Sequence, residues 1–413
     1  MHGMDLVIIG IALVVYAAFS KRLSGTVITA AMVFVVFGYI AGSEGFGILH
    51  TNLGSGAVRH LAEATLSLVL FTDAAGLDSR RLQHEMSLPA RLLGIGLPLT
   101  IVLGTLLGLP LFPQLGFFEV VILAVMLAPT DAALGQAVVS DRRLASKLRQ
   151  GLNVESGLND GVCVPLLFAA VAFAQVERPG SHSGIITDLV KELLVATAVG
   201  AGVAALVVAL IVAARHHDWI DTHWEQIIPP ATAVIAYVAA DELGGSGFIA
   251  CFVAGLVYGS MLTKANETIE LAEEVGSVLG AATFLVFGAI VIGPALSDFD
   301  PAALLYAVLS LTIVRMLPVA LALLGSGAQR PTVAFTGWFG PRGLATIVFM
   351  LTILTESGLP GTPKIVQVAT FTVLLSVFAH GMTATPLTDR YVRWSKAHDL
   401  ASDQLETEAE LTE

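Results

Sequence analysis

Apolar residues run through this chain in blocks. Stretches of about 20 residues with few charges recur near 4–20, 25–41, 58–77, 90–112, 117–138, 147–176, 188–214, 226–242, 245–262, 270–293, 301–324, 332–356 and 364–386. A helix needs roughly 20 apolar residues to cross a hydrocarbon layer about 30 Å thick. The pattern therefore predicts an all-α polytopic membrane protein of 13 transmembrane helices, joined by short linkers rich in Gly, Pro or charge. Composition agrees: 55% of the 413 residues are hydrophobic and 13% are charged, far more apolar than a soluble domain. The first block has no basic flank before it and no small-residue cleavage site after it, so it reads as a retained span and not a signal peptide.

Basic residues test the span list as a whole. Counted loop by loop, one side collects 15 of the 21 Lys and Arg residues, among them Lys21, Arg22, Arg80, Arg81, Arg142, Arg143, Lys264 and Arg390. The opposite side holds 4, namely Arg59, Arg178, Lys191 and Lys364, and the last 2, Arg315 and Arg342, fall inside spans. Cytoplasmic loops carry the excess of Lys and Arg. The split thus predicts an N-terminus outside, a C-terminus in the cytoplasm and an odd number of spans. Thirteen spans divide into six, one linker and six, which inverts the second six and generates inverted repeats. Residues 1–390 form the membrane domain, and 391–413 a short tail. The tail is acidic, with six acids and no Lys or Arg over 397–413, and accounts for much of the net charge of −12. No basic block points to nucleic acid. Cys163 and Cys251 fall in apolar runs with no metal-binding or CxxC spacing, and read as packing residues.

Two interruptions stand out. Span 5 is broken at Ala128-Pro129-Thr130-Asp131, and span 12, its counterpart in the second half, at Phe339-Gly340-Pro341-Arg342-Gly343. Proline removes a backbone donor and clashes with the carbonyl four residues back. Paired Pro/Gly interruptions in matching spans point to a binding site at the repeat interface. Span 6 then carries two acids, in Asn153-Val-Glu155-Ser156-Gly-Leu-Asn159-Asp160. At 1.5 Å per residue, Asp131 lies roughly 21 Å along its span and Asp160 roughly 20 Å along the next from the opposite side. Both reach the middle of the bilayer, where a charge costs several kcal/mol and marks function by default.

Side-chain facing separates the acids. Ser156 and Asp160 are four apart on one helix face, and Glu155 and Asn159 on another about 100° away. Asp160, the Ser156 hydroxyl, Thr130 and the broken backbone around it can offer oxygens to a hard monovalent cation. Asp131 can add a carboxylate or accept from Asn159. Oxygen-only ligation suits alkali cations and not zinc, copper or iron. Glu155 is read as the partner of one of the buried arginines, Arg315 or Arg342, and the sequence does not decide which. The arginine left over faces Asp131 or backbone carbonyls. The alternative is that Glu155 itself carries a transported proton. Asp73 either belongs to the site or is an interfacial acid near Arg80 and Arg81. His380 reads as a hydrogen-bonded core residue, with a proton relay as the alternative. Glu63, Glu119 and Glu192, near the outer ends of spans, read as interfacial.

Taken together, these residues resemble the monovalent cation/proton antiporter superfamily. Pro129-Thr130-Asp131 in a broken span, followed by Glu155-Ser156-x-x-Asn159-Asp160, carries the resemblance. Asn159-Asp160 is similar to the Asn-Asp motif of the electroneutral branch, the NhaP-like bacterial proteins and the eukaryotic Na⁺/H⁺ exchangers. Gly340-Pro-Arg-Gly343 is similar to that branch's Gly-x-Arg-Gly segment. The resemblance implies crossed broken helices in the Na⁺/H⁺ antiporter fold. Core helices at about 90–176 and 301–386 would move against scaffold helices at about 4–77 and 188–293 that form a homodimer. It implies Na⁺ at Asp131, Asp160, Ser156 and Thr130, with Asp73 a weaker addition and Glu155 in a structural ion pair with an arginine. The short tail is closer to a bacterial inner-membrane protein than to the eukaryotic pattern.

The expectation is a secondary transporter and not an enzyme, needing no cofactor. It exchanges Na⁺, with Li⁺ next, for H⁺ by competition of proton and cation for Asp160 and Asp131. With Asn159 neutral and Glu155 held, one proton would exchange for one cation. A K⁺/H⁺ antiporter is the alternative within the class. A cation-coupled symporter of an organic anion is the alternative outside it, and would need arginines not committed to acids.

Overall fold

The structure, a computed structural model, describes residues 3–23, 26–49, 56–77, 87–131, 133–176, 184–262, 265–354 and 358–398. Among these, all regular structure is helical. Arg80, Arg81, Arg178, Lys264 and the acidic residues from Asp399 onward, which entered the charge argument, lie outside them.

Seven of the described helices are long and apolar enough to cross a membrane: Met4–Leu23, Ser87–Leu111, Ser146–Val176, Ile186–His216, Glu270–Ser297, Pro301–Ala322 and Thr362–Ala397. Backbone amides in hydrocarbon must be satisfied within the segment, which is why long apolar runs become helices. Large side chains such as Leu206 and Leu210 face outward, as lipid-facing residues do. Other helices occupy further apolar blocks: Ala30–Ala41, Gly56–Ala75, Ile228–Glu242 and Gly247–Met261. The block at 117–138 holds Phe117–Met126 and Gln136–Val139, and that at 332–356 holds Arg330–Trp338 and Leu344–Thr352. Each of these two blocks is thus interrupted at its Pro/Gly segment. The last helix runs on to Ala397 and buries Tyr391 and Val392. Residues 391–397 are therefore helix, and the tail starts later than expected.

Packing groups residues 1–59, 85–159 and 281–413 into one compact unit and residues 60–84 and 160–280 into another. In the first, Ala30–Ala41 lies directly on Glu270–Ile290. A Cβ at Gly38 or Gly42 would strike the backbone of Leu285 or Ala289, so small residues set the approach. Near one end of this unit, Lys364 donates to Asp300 and to Gln367, at 2.8 and 2.7 Å. Gln367 Nε2 in turn donates to the Asp298 carbonyl. At another point Arg91 donates to the carbonyls of Ala322 and Leu324, capping the end of Ile313–Ala322. In the second unit the same device recurs: Gly255 and Gly259 of Gly247–Met261 rest on the backbones of Phe71 and Ala75. There Arg215 pairs with Glu225, and Tyr258 and Thr268 share a buried hydrogen bond of 3.0 Å.

Candidate functional site

The site is built where the two interrupted blocks of the first unit meet. Phe117–Met126 ends with the Leu127 amide on the Leu123 carbonyl. After Pro129 the chain cannot continue the helix. The Asp131 amide instead donates across to the Pro341 carbonyl, at 2.8 Å, in the other break. The Asp131 carboxylate then accepts from two amides, Leu134 N at 3.1 Å and Leu344 N at 2.6 Å. Leu344 opens the helix Leu344–Thr352, so Asp131 caps a helix N-terminus, where unpaired amides and the dipole favour an anion. Thr346 reaches back to the Met126 carbonyl, at 3.2 Å, and caps the opposing helix end. Gly343 leaves room for this crossing: a Cβ there would collide with Asp131 Oδ2.

Residues of Ser146–Val176 clamp the first break. Asn159 donates from Nδ2 to Thr130 Oγ1 at 2.8 Å and accepts the Thr130 amide on Oδ1 at 3.2 Å. Ser156 Oγ donates to the Thr130 carbonyl at 2.5 Å. Asn159 is therefore bound to Thr130 and not to Asp131, which was one of the two roles open to that carboxylate. Ser156 and Asn159 also work together although the helical-wheel reading placed them on different faces. They are three apart, and i,i+3 neighbours are adjacent on a helix as i,i+4 ones are. Thr130, Asp131, Ser156 and Asn159 are all buried.

Glu155, four residues before Asn159 on the same helix, has its partner fixed by the structure. Arg315 donates from Nη1 and Nη2 to its two oxygens, at 2.5 and 2.9 Å, and both side chains are 3% exposed. Bidentate geometry of this kind is the strong form of the pair. Gly340 makes space for the guanidinium, because a Cβ there would meet Arg315 Nε. Arg342, fully buried, donates from Nη1 to the Gly340 carbonyl at 2.7 Å. It is thus the arginine that faces a backbone carbonyl.

Beside these groups lies a cavity of about 10 Å³ lined by Thr130, Asp131, Ser156, Gly135, Val138, Val139, Leu152, Phe339 and Pro341. That is room for one body the size of a water molecule. The structure thus brings Thr130, Asp131 and Ser156 to one cavity, with Asn159, Glu155, Arg315 and Arg342 supporting the walls. Asp160 is the next residue of the same helix after Asn159 and is buried. Asp160 and the half-buried Asp73 both fall in the second packing unit. His380 is hydrogen-bonded in the core, with Nε2 3.0 Å from the Trp338 carbonyl and Nδ1 3.1 Å from Ser376 Oγ.

One acid at a span end has a defined structural role. Glu119 is buried, and its carboxylate accepts from Gly116 N at 2.9 Å and Gly361 N at 2.8 Å. It joins the starts of Phe117–Met126 and Thr362–Ala397. The available signal was local: a Glu two residues after the helix start, behind Gly116, is the pattern of a residue that turns back to cap its own helix.

A buried carboxylate held at the junction of two interrupted helices, beside a water-sized space lined by Thr130, Asp131 and Ser156, is the arrangement in which helical membrane transporters build binding sites. The chain belongs to the family described as sodium/hydrogen exchanger, transmembrane, which it matches over residues 9–390. Among curated relatives, the K(+)/H(+) antiporter NhaP2 of Shewanella baltica is 25% identical over 379 residues, covering 90% of this chain and 63% of that protein. The K(+)/H(+) antiporter NhaP of Alkalimonas amylolytica is 24% identical over 388 residues, 93% of this chain and 65% of that one. The chain therefore spans a little under two thirds of the length of these relatives. Among solved structures, the sodium proton antiporter MjNhaP1 from Methanocaldococcus jannaschii at pH 8 superposes with a TM-score of 0.72 at 19% identity. That match covers 92% of this chain and all of the other, and shows a shared fold.

Proposed function

We propose that the chain exchanges a monovalent cation for protons across a membrane, with the cation held by Asp131, Asp160, Ser156 and Thr130. The observation that carries this reading is the meeting of the two helix breaks on Asp131, beside a cavity lined by Thr130, Asp131 and Ser156. Ser156 gives its hydrogen to the Thr130 carbonyl, so its oxygen lone pairs remain for a cation. The backbone between Pro129 and Asp131 is outside any helix, so the carbonyls there are not all consumed by helical bonds. Proton and cation compete for the buried carboxylates, Asp160 foremost. A proton taken up from one side is released when the cation enters from the other. Asp73 supplies a further oxygen in this scheme.

Charge balance favours an electroneutral cycle. Glu155 is matched by Arg315, and Asn159 is neutral and committed to Thr130. One carboxylate exchanging one proton for one cation then moves no net charge. The 13-span architecture with inverted repeats, movement of core against scaffold, a homodimer and a cytoplasmic C-terminus belong to the same proposal. They rest on the span pattern, the basic-residue split and the family.

Na⁺ is the first cation to test and Li⁺ the next. K⁺ is the second reading, favoured by the names of the curated relatives. Purified protein in proteoliposomes carrying a pH-sensitive dye, given Na⁺, Li⁺ or K⁺ pulses, separates them. Asp160→Asn is expected to abolish cation-driven proton flux while the protein remains monodisperse. Undiminished flux in that variant sinks the proposal. An imposed membrane potential is expected to leave the native rate unchanged.

A further inference from the structure

We propose that one face of the Thr362–Ala397 helix, formed by Ser376, His380 and Thr383, is a positioning element that fixes the second break so that it reaches Asp131. The three residues are spaced four and three apart, which places them on one face, and each holds a different point of the break. The Arg342 amide donates to Ser376 Oγ at 2.6 Å. His380 Nε2 lies 3.0 Å from the Trp338 carbonyl. The Trp338 indole donates to Thr383 Oγ1 at 2.9 Å, and the Trp338 and His380 rings lie 5.1 Å apart.

His380 is held through both ring nitrogens, since Nδ1 also lies 3.0 Å from the Ser376 carbonyl. A carbonyl only accepts, so the Trp338 contact uses a proton on Nε2 and the Ser376 carbonyl contact a proton on Nδ1. Ser376 Oγ already accepts from Arg342 and can donate its own hydrogen to Nδ1, 3.1 Å away. The neutral ring protonated on Nε2 keeps the Trp338 and Ser376 Oγ contacts and forgoes the Ser376 carbonyl. Trp338 ends the helix Arg330–Trp338, and the last carbonyls of a helix have no intrahelical partner. His380 supplies one, alongside the Gly340 amide at 2.8 Å. From Trp338 to Arg342 the chain is thus pinned at both ends. The atoms that touch Asp131, the Pro341 carbonyl and the Leu344 amide, lie within two residues of Arg342. None of the three residues lines the cavity beside Asp131. The effect of this face passes through the geometry of Asp131, and the inference rests on the reading of Asp131 as part of the cation site.

The test compares His380→Ala, His380→Gln and Thr383→Val in proteoliposomes, reading apparent KM for the transported cation separately from maximal rate, with Asp131→Asn as the control. His380→Ala is expected to raise apparent KM about tenfold, equivalent to 1.4 kcal/mol, with a smaller change in maximal rate. His380→Gln, whose amide can donate to Trp338 and accept from Ser376, is expected to restore KM to within about twofold. Thr383→Val should raise KM about threefold, in line with loss of one neutral hydrogen bond. It carries the test should the alanine variant not fold. A native KM in His380→Ala overturns the inference, as does a KM in His380→Gln as poor as in His380→Ala, or, where only Thr383→Val folds, a native KM there. Unimpaired transport by Asp131→Asn would instead overturn the cation-site reading beneath it.

Discussion

Separating Glu155 from Arg315 should be costly, and removing both should not. Each side chain is 3% exposed and the two are joined by hydrogen bonds of 2.5 and 2.9 Å. The surface discount that reduces exposed ion pairs to below about 1 kcal/mol therefore does not apply. Two unit charges about 4 Å apart at an effective dielectric near 20 attract by about 4 kcal/mol. Loss of one partner from a buried pair typically costs about 3–5 kcal/mol, because the survivor is left uncompensated. Arg315→Met and Glu155→Gln are each expected to lose about that much, a large share of a typical folding free energy of about 5–15 kcal/mol. Exchanging a buried pair for uncharged groups of similar volume is often neutral, so the double variant should recover most of the loss. The assay is unfolding by SDS in mixed micelles, run as a double-mutant cycle. Strictly additive single losses, or singles within about 1 kcal/mol of the native protein, would show that the pair is not a clasp. Transport adds a second readout. A structural Glu155 predicts that the double variant still exchanges cation for proton, whereas a proton-carrying Glu155 predicts that it is inactive.

Gly343→Ala places a Cβ on Asp131 Oδ2; transport is expected to fall at least tenfold in the dye assay, with less effect from Gly202→Ala, where an added Cβ meets open space. Asn159→Ala leaves the buried Thr130 amide without its partner, a loss of about 1–3 kcal/mol that unfolding should report together with raised KM. Glu119→Ala strips two amides of their acceptor and is expected to lower stability by about 1–2 kcal/mol, where a Glu at the membrane interface would cost next to nothing. Lys364 beside Asp300 holds that carboxyl below its usual range. The pair's stabilisation is therefore present above the ordinary aspartate value of about 3.9 and is lost as pH falls through the lower folded value. Stability curves of the native protein and Lys364→Gln should run apart near neutral pH and converge in acid; curves that stay parallel down to about pH 3 would refute the pairing.

The helix breaks were legible because Pro129, Gly340, Pro341 and Gly343 act through their own backbone chemistry, which needs no knowledge of neighbours. Burial of Asp131, Glu155 and Asp160 was legible for a similar reason, since each sits in an apolar block. Partners were harder. Arg315 and Arg342 are both buried in late spans. What separates them is the close approach at Gly340, where only a missing Cβ admits the Arg315 guanidinium, and that is a tertiary fact. Asn159 went to Thr130 because a broken helix exposes both an amide and a hydroxyl at one residue, and a carboxamide matches the two together. A helical wheel drawn for Ser146–Val176 alone has no term for the shape of the opposing chain. The role of Glu119 was hidden because its second partner, the Gly361 amide, lies 242 positions away.

These contacts divide the labour among four buried polar groups in a way that bears on stoichiometry. Asn159 is spent on the backbone of Thr130 and Glu155 on Arg315. Asp131 gives an oxygen to each of two amides, so its capacity to coordinate a cation is already partly used. With Asp160 taken, as proposed, as the acid that alternates between proton and cation, the two aspartates should have unequal roles. Asp160→Asn should abolish exchange at every cation concentration, since no alternating charge remains. Asp131→Asn keeps one acceptor oxygen for an amide but cannot satisfy both Leu134 and Leu344. It should therefore transport with a greatly raised KM, or fail with visible loss of stability. Abolished exchange in Asp131→Asn at native stability would instead mean that the two aspartates share the exchanging charge. In that case the stoichiometry must be read from proton-to-cation flux ratios and not from Asn159.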